Sequence, residues 1–349
     1  MEPSAQPTSP PDRKPRLRVV VTVDPEVGGW RLLAPGGEPR AGRCDIQLNP
    51  SGPAEADFWI VFANARPVDR IRCAPENTLF IAGEPEEKKV YPKRFYQQFL
   101  RLIDTHDRSN HPRIIRHAPC MAWHIGYDHR RQAFAFGYDT LAAMPPPATL
   151  RNRVSVVCSD AAFTPGQRKR LAFLSELKRR LGDRLDHFGR GFRPVDDKLD
   201  AILGYRFQLV LENCQALDYW TEKLSDAYLG WAFPFYAGCP NLTDYFPPDA
   251  FAAVDLDDPV AAAAALLERL ESPSGETERA AVAEGRRRVL DDYNPWSAWA
   301  RWAEEFHNPA ATPRWLTIRS HKAFRPAPRG WLFRWRTRHA SPTGPDSVS

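Results

Sequence analysis

The chain predicts an α/β architecture of two doubly wound, Rossmann-like domains facing a cleft, and three observations carry that prediction. Its 349 residues are enough for two separate cores. Runs such as Val19-Val-Val-Thr-Val23 and Phe58-Trp-Ile-Val-Phe62 are continuously apolar rather than alternating, as in parallel strands buried on both faces. Segments of helical period alternate with such runs in two halves, separated at Pro145-Pro-Pro147.

Taken in order, residues 1–14 are polar and Pro-rich and read as a disordered tail. The first domain is expected over 15–148. Leu17 to Asp24 is rich in β-branched residues and predicts a strand; Phe58–Phe62 and Thr78–Ala82 predict two more. Val90 to Ile103 has helical spacing, with Phe95, Phe99, Leu102 and Ile103 on one face. The second domain is expected over 149–312. It opens with the strand Val154–Cys158, followed by a basic helix from Gln167 to Leu181 whose Leu171, Leu174, Leu177 and Leu181 face inward. Leu185–Phe188 and Phe207–Leu211 predict strands. Leu224, Ala227, Tyr228 and Trp231 then fall at i, i+3, i+4 and i+7 of a helix. Pro259–Leu270, with Pro in its first turn, and Glu278–Leu290 predict the closing helices. No internal repeat is evident.

Composition narrows the function classes. Hydrophobic residues make up 43% and aromatics 11%, an ordinary globular balance. The apolar runs are too short to span a bilayer, and the first fourteen residues do not resemble a signal peptide. Six widely spaced cysteines without a Cys-x-x-Cys pair argue against a zinc or redox motif, and for reduced thiols in a cytoplasmic setting. Net charge is +5, with the excess near the C-terminus. Residues 313–349 form a basic, aromatic tail. Between Arg314 and Arg338 it carries eight Arg or Lys and no acidic residue, interleaved with Trp315, Phe324, Trp331 and Trp335. That pattern predicts peripheral contact with an anionic membrane surface through 314–338, at its inner face. Packing back onto the fold and nucleic-acid contact are the rivals, and no nucleic-acid partner is expected.

The most informative segment is Tyr205-Arg-Phe-Gln-Leu-Val-Leu-Glu-Asn-Cys214, followed by Asp218-Tyr-Trp-Thr-Glu-Lys-Leu224. It reads as an apolar strand ending in polar groups, a short loop, and a helix opening on a charged pair. Ligands of open α/β sheets bind beyond strand carboxyl ends, at helix N-termini. Glu212 and Asn213 fall at that strand end; Thr221, Glu222 and Lys223 fall in the first helical turn. A cation there opposes the helix dipole by about 0.3–1 kcal/mol, and a bound anion would reverse that sign. The bland alternative is an exposed Glu/Lys pair on an ordinary helix. His106, His111, His117, His124 and His129 cluster in sequence without metal-ligand spacing, although His117 could touch an acceptor. Asp255-Leu-Asp257 precedes Pro259, so Asp257 or Asp258 is expected to cap a helix rather than bind metal.

This segment, with Pro234-Phe-Tyr-Ala-Gly238, Phe246-Pro-Pro and Phe251-x-x-Val254, resembles the donor-binding signature of the family 10 glycosyltransferases, the α-1,3/1,4-fucosyltransferases. The resemblance spans about fifty residues in the right order. It implies a GT-B fold whose second half binds a nucleotide sugar, and inverting transfer of fucose from GDP-fucose to an oligosaccharide or lipid-linked surface glycan. It implies no cofactor and no required metal; the lack of an anchor suggests the soluble bacterial type. Carried over residue by residue, it implies a donor pocket of Asn213, Tyr219, Glu222 and Lys223, with Arg170 on the diphosphate and Arg168 as a rival. Glu84, in Gly83-Glu-Pro-Glu-Glu87, is the implied catalytic base, with Glu86 and Glu87 as rivals. Trp220 and Ala232 depart from the family pattern and leave room for another GDP-sugar. A catalytically silent, membrane-tethered assembly protein is the alternative from another class.

Overall fold

The computed structural model describes residues 14–23 and 28–337. Asp24, most of the expected N-terminal tail and Arg338 lie outside the described residues. Among those described, two parallel sheets form the framework. The first is built from β1 (Leu17–Val23), β2 (Cys44–Leu48), β3 (Phe58–Phe62), β5 (Thr78–Ile81) and β6 (Arg101–Ile103); β4 (Val68–Cys73) lies outside it. The order β2-β1-β3-β5-β6 is extended by short strands at Arg40–Ala41 and Ile114–Ile115. β3 is buried along its whole length, as a central parallel strand requires.

The second sheet comprises β7 (Arg151–Val157), β8 (Leu185–Phe188), β9 (Tyr205–Leu211), β10 (Phe233–Ala237) and β11 (Ala252–Ala253), in the order β8-β7-β9-β10-β11 and parallel throughout. Each sheet reverses direction beside its first strand, which creates a topological switch point at the carboxyl ends of two neighbouring strands. In the second sheet these strands are β7 and β9. Two such units around a cleft make the GT-B arrangement. Helix α1 (Pro165–Leu181) follows β7, and α2 (Glu222–Leu229) follows β9. Then come α3 (Pro259–Glu271) and α4 (Glu276–Arg287). α1 starts where Thr164 forms a reciprocal capping box with Gln167 and Pro165 occupies the first turn. Asp258 caps α3 by accepting from Ala261 N at 2.9 Å, while Asp257 pairs with Lys169 at 2.6 Å.

Three expectations need correction. The helix expected over Val90–Ile103 shrinks to one turn, Lys93–Tyr96. Leu102 and Ile103 belong to β6, where pairing with Phe80 and Ile81 buries both completely. Phe95 and Phe99 are buried as expected, packing on Phe80 at 4.9 and 5.2 Å. Helix α5 (Pro295–Phe306), placed with the second domain by the boundary at 312, packs instead on the first sheet. Trp299 stacks on Trp30 at 5.6 Å and meets Phe62 edge-on, while Asn294 Nδ2 donates to Leu33 O at 2.8 Å. One apolar cluster therefore runs from Val21 and Phe62 through Trp296 and Trp299 to Trp220, Tyr228 and Phe246.

The third correction concerns the tail. Its first part is structural: β12 (Arg314–Arg319) pairs antiparallel with β4, bringing Arg314 opposite Cys73 and Arg319 opposite Val68. Gln98 exchanges two hydrogen bonds with the Arg319 backbone, and Ile318, His321 and Ala323 are buried. Only beyond them does α6 (Arg329–Arg336) present Trp331 and Trp335 outward, 57% and 61% exposed.

Candidate functional site

The carboxyl ends of β7 and β9 open on a cleft of about 740 Å³. Its lining includes Ser159, Gln167, Arg170, Asn213, Glu222 and Lys223, so four of the five expected donor residues share one wall system. The same features that make α2 a helix build the site. β9 delivers Glu212, only 2% exposed, to the start of α2. There Glu212 accepts from Thr221 N at 2.8 Å, from Thr221 Oγ1 at 2.8 Å and from Lys223 Nζ at 3.1 Å. Lys223 Nζ also pairs with Glu222 at 3.1 Å. The cation that opposes the helix dipole is thus held by two carboxylates.

Electrostatics fix these charge states. Burial pushes the Glu222 carboxyl up, but Lys223, His124 and Lys198 outweigh it and hold the group well below the usual carboxylate range. Burial pulls Lys223 down, while Glu212 and Glu222 pull it up; the net displacement is upward. Glycine is required at two close approaches. A Cβ at Gly238 would collide with the Tyr236 ring and Glu212, and one at Gly166 would collide with the Asn213 carbonyl.

Arg170, 5% exposed, reaches under the strand end. Its Nη1 donates to Leu211 O at 3.2 Å and to Asn213 Oδ1 at 2.8 Å, while its buried Nε has no partner among the described residues. Arg168 points elsewhere, donating to the carbonyls of Ala162 and Phe163 at 3.1 and 3.2 Å. Tyr219 lies outside the cleft wall. It is 3% exposed, and burial followed by nearby carboxylates holds its hydroxyl well above the usual range. The loop before α2 is pinned: Asp218, at φ 60°, accepts from Asn241 Nδ2 and from the Tyr245 hydroxyl, each at 2.8 Å.

Glu84 sits beyond the end of β5, in the first domain. Its carbonyl meets His106 Nε2 at 2.7 Å, and its carboxylate accepts from Lys88 Nζ at 2.7 Å with the side chain 32% exposed. After burial, its charge is among those acting on Tyr219. Glu86 is a loop anchor, accepting from Asp107 N at 3.0 Å. Glu87 approaches the Gly166 turn of the second domain.

Neither Trp220 nor Ala232 lines the cleft. Trp220 packs on Tyr245, Phe246 and Tyr293 at 6.0, 5.2 and 5.1 Å, and Ala232 is fully buried, so the proposed effect of both on donor choice loses its structural basis. His117 packs edge-on against Tyr245 and Trp302. The structure adds residues that sequence reasoning left without a role: Lys198, His124, His129 and the Gly189–Gly191 loop also line the cleft. Lys198 pairs with Asp226 at 2.7 Å and approaches Glu222 at 3.8 Å. A carboxylate one turn after Glu222 on the same helix was the one available signal for Asp226.

Residues 150–277 match the family model described as glycosyltransferase family 10 (fucosyltransferase) C-term. The chain is 31% identical over 115 residues to a 4-galactosyl-N-acetylglucosaminide 3-alpha-L-fucosyltransferase, FUT5, of Gorilla gorilla gorilla, covering 32% of this chain and 30% of the relative. It is 38% identical over 60 residues to the alpha-(1,3)-fucosyltransferase FucT of Helicobacter pylori, covering 17% and 13%. The chain thus matches about a third or less of the length of these curated relatives. It is also similar to a crystal structure of an alpha1,3-fucosyltransferase with GDP, at a TM-score of 0.42 and 18% identity over 84% of this chain and 96% of that one.

Proposed function

Since residues 150–277 match the family model of glycosyltransferase family 10, we propose that the protein is an inverting fucosyltransferase that moves fucose from GDP-fucose to a hydroxyl of a sugar acceptor in a surface glycan. One observation carries this reading: Arg170, Asn213, Glu222 and Lys223 converge on a single cleft at the switch point of the second sheet. A diphosphate there would meet the Arg170 guanidinium, the Lys223 ammonium and the N–H groups opening α2. These groups stabilise charge that grows as the bond to the sugar breaks, which is where preorganised donors contribute most. The ionised Glu222 accepts from sugar hydroxyls. Glu84 takes the proton from the acceptor hydroxyl as that oxygen attacks the anomeric carbon from the opposite face. Lys88 pairs with Glu84 through Oε1, and in this reading Oε2 receives the acceptor's proton.

In this reading the leaving group is neutralised by side chains, and transfer needs no metal. The acceptor is an oligosaccharide or a lipid-linked glycan. Peripheral contact with an anionic membrane is assigned to α6, where Trp331, Leu332 and Trp335 are exposed beside Arg329, Arg334 and Arg336. No helix among the described residues is long and apolar enough to cross a membrane.

The test is a thermal melt with GDP, GDP-fucose, GDP-mannose, UDP and CDP. A ligand at a hundredfold excess over its Kd stabilises by about 2.7 kcal/mol. A shift confined to GDP and GDP-fucose is expected; a larger shift with another donor, or none at all, defeats the reading.

A further inference from the structure

The first domain sends an arm into the cleft of the second. Tyr127–Asp128 and Ala133–Phe134 form a short antiparallel ribbon whose turn carries His129, and both His124 and His129 line the cleft. The turn is built rigidly: Asp128 Oδ1 accepts from Arg130 N at 2.8 Å and from Arg131 N at 3.1 Å, and Gln132 Nε2 donates to His129 O at 2.7 Å. The second domain grips the arm at three points. Asp226 Oδ1 accepts from His124 N and Ile125 N at 2.7 and 3.1 Å, Asp197 accepts from Gly126 N at 2.9 Å, and Arg130 pairs with Asp196 at 2.8 Å.

Successive contacts place the arm at the far end from Arg170. They run from Arg170 to Asn213, then from Lys223 to Glu222, Lys198 and Asp226, and from there to His124 and His129. The chemistry changes along that line. At the Arg170 end a guanidinium that no carboxylate pairs among the described residues is offered to an anion, beside Lys223, which Glu212 and Glu222 hold in place. At the other end Lys198 is neutralised by Asp226 and Glu222, and Arg190 lies 3.7 Å from Asp160. What remains there is flat: two histidine rings, Pro194, Val195 and the peptide planes around Gly189 and Gly191. Burial holds His124 neutral, with its pKa lowered to about 4. The His129 ring nitrogens have no hydrogen-bond partner among the described residues, and its ring is braced edge-on by Tyr127 at 5.0 Å.

We infer that His129 is a specificity-determining residue contributed by the first domain, contacting the heterocyclic base of the nucleotide bound in the second. The inference rests on the nucleotide-sugar reading of the cleft. It requires the two domains to be held together for full nucleotide affinity. A flat π-face suits a purine base, and base–aromatic contacts of this kind contribute about 1–3 kcal/mol by alanine substitution.

The experiment is calorimetric titration of the full chain and its His129→Ala variant with GDP and with inorganic pyrophosphate. His129 is exposed at a turn, so the variant folds. We expect GDP affinity to fall by about tenfold while pyrophosphate affinity stays within about twofold. Equal GDP affinity in the two proteins, or an equal loss for both ligands, overturns the inference while the donor site stands. A parent protein that binds no GDP defeats the reading of the cleft itself.

Discussion

The buried pair Glu212–Lys223 gives a quantitative test of how the site is held. Glu212 has a fully buried side chain, and among the described residues Lys223 is the cation paired with it. Lys223→Met leaves that carboxylate with the Thr221 N–H and hydroxyl as its remaining donors. Breaking a buried pair from one side costs about 3–5 kcal/mol. Glu212→Gln is milder, because Lys223 keeps Glu222 at 3.1 Å and the amide oxygen still accepts from Thr221; about 1–2 kcal/mol is expected. Combining both changes removes the orphaned charge, so the double variant should be more stable than the sum of the singles by about 2–3 kcal/mol. Urea unfolding followed by tryptophan emission measures the cycle, read at constant m. Additivity within about 0.5 kcal/mol would refute the claim that Glu212 and Lys223 act as one buried unit. GDP titration of the same variants separates folding from function, since both proteins with Lys223→Met should lose nucleotide affinity even where stability is restored.

Four further outcomes are expected. Glu84→Gln should lower transfer by about 10²–10⁴-fold and leave GDP affinity intact, checked by turnover and calorimetry. Transfer should survive saturating chelator; abolition restored by a divalent cation would contradict the metal-free reading. His124, lowered from 6.5 to about 4 by burial and then by Lys198, stays neutral in the fold while the unfolded chain takes up a proton. Stability should therefore fall as pH drops from about 6.5 to 4, by up to about 3 kcal/mol, and His124→Gln should flatten that slope in thermal melts. Replacing Trp331 and Trp335 with Ala should release the protein from anionic vesicles without changing its melting temperature; unchanged sedimentation with vesicles would remove α6 from membrane contact.

What the sequence disclosed followed burial. Phe58–Phe62, Thr78–Ile81 and Tyr205–Leu211 are central strands buried throughout, and their continuous apolar character marks them. α1 carries its own start signals in Thr164, Pro165 and Gln167. Val90–Ile103 misled because Phe95, Phe99 and Leu102 satisfy a helical period while the core they fill is reached by one turn and a strand. The Arg and Trp of β12 masked an edge strand, since alternation was blurred by Arg70 stacking on Trp315 from β4. Of the cleft, Glu212, Asn213, Glu222 and Lys223 were legible because one short stretch of chain supplies them all. His129 and Asp197 were not, because each acts across a domain boundary, and Lys198 was not, because its partners Glu222 and Asp226 lie more than twenty residues away in sequence, where local periodicity carries no trace of them.

The return of α5 to the first sheet has a consequence for biosynthesis. Trp30 and Phe62 form part of a face that only Trp299 and its helix complete. On a ribosome adding about 5–20 residues per second, the stretch of roughly 150 residues from the Pro145 break to α5 takes on the order of 10–30 s to emerge. For that interval one side of the earliest-made sheet lacks the part of its cover that α5 supplies, although Leu33, Trp123 and Leu141 already pack there. The half synthesised first is therefore the half finished last.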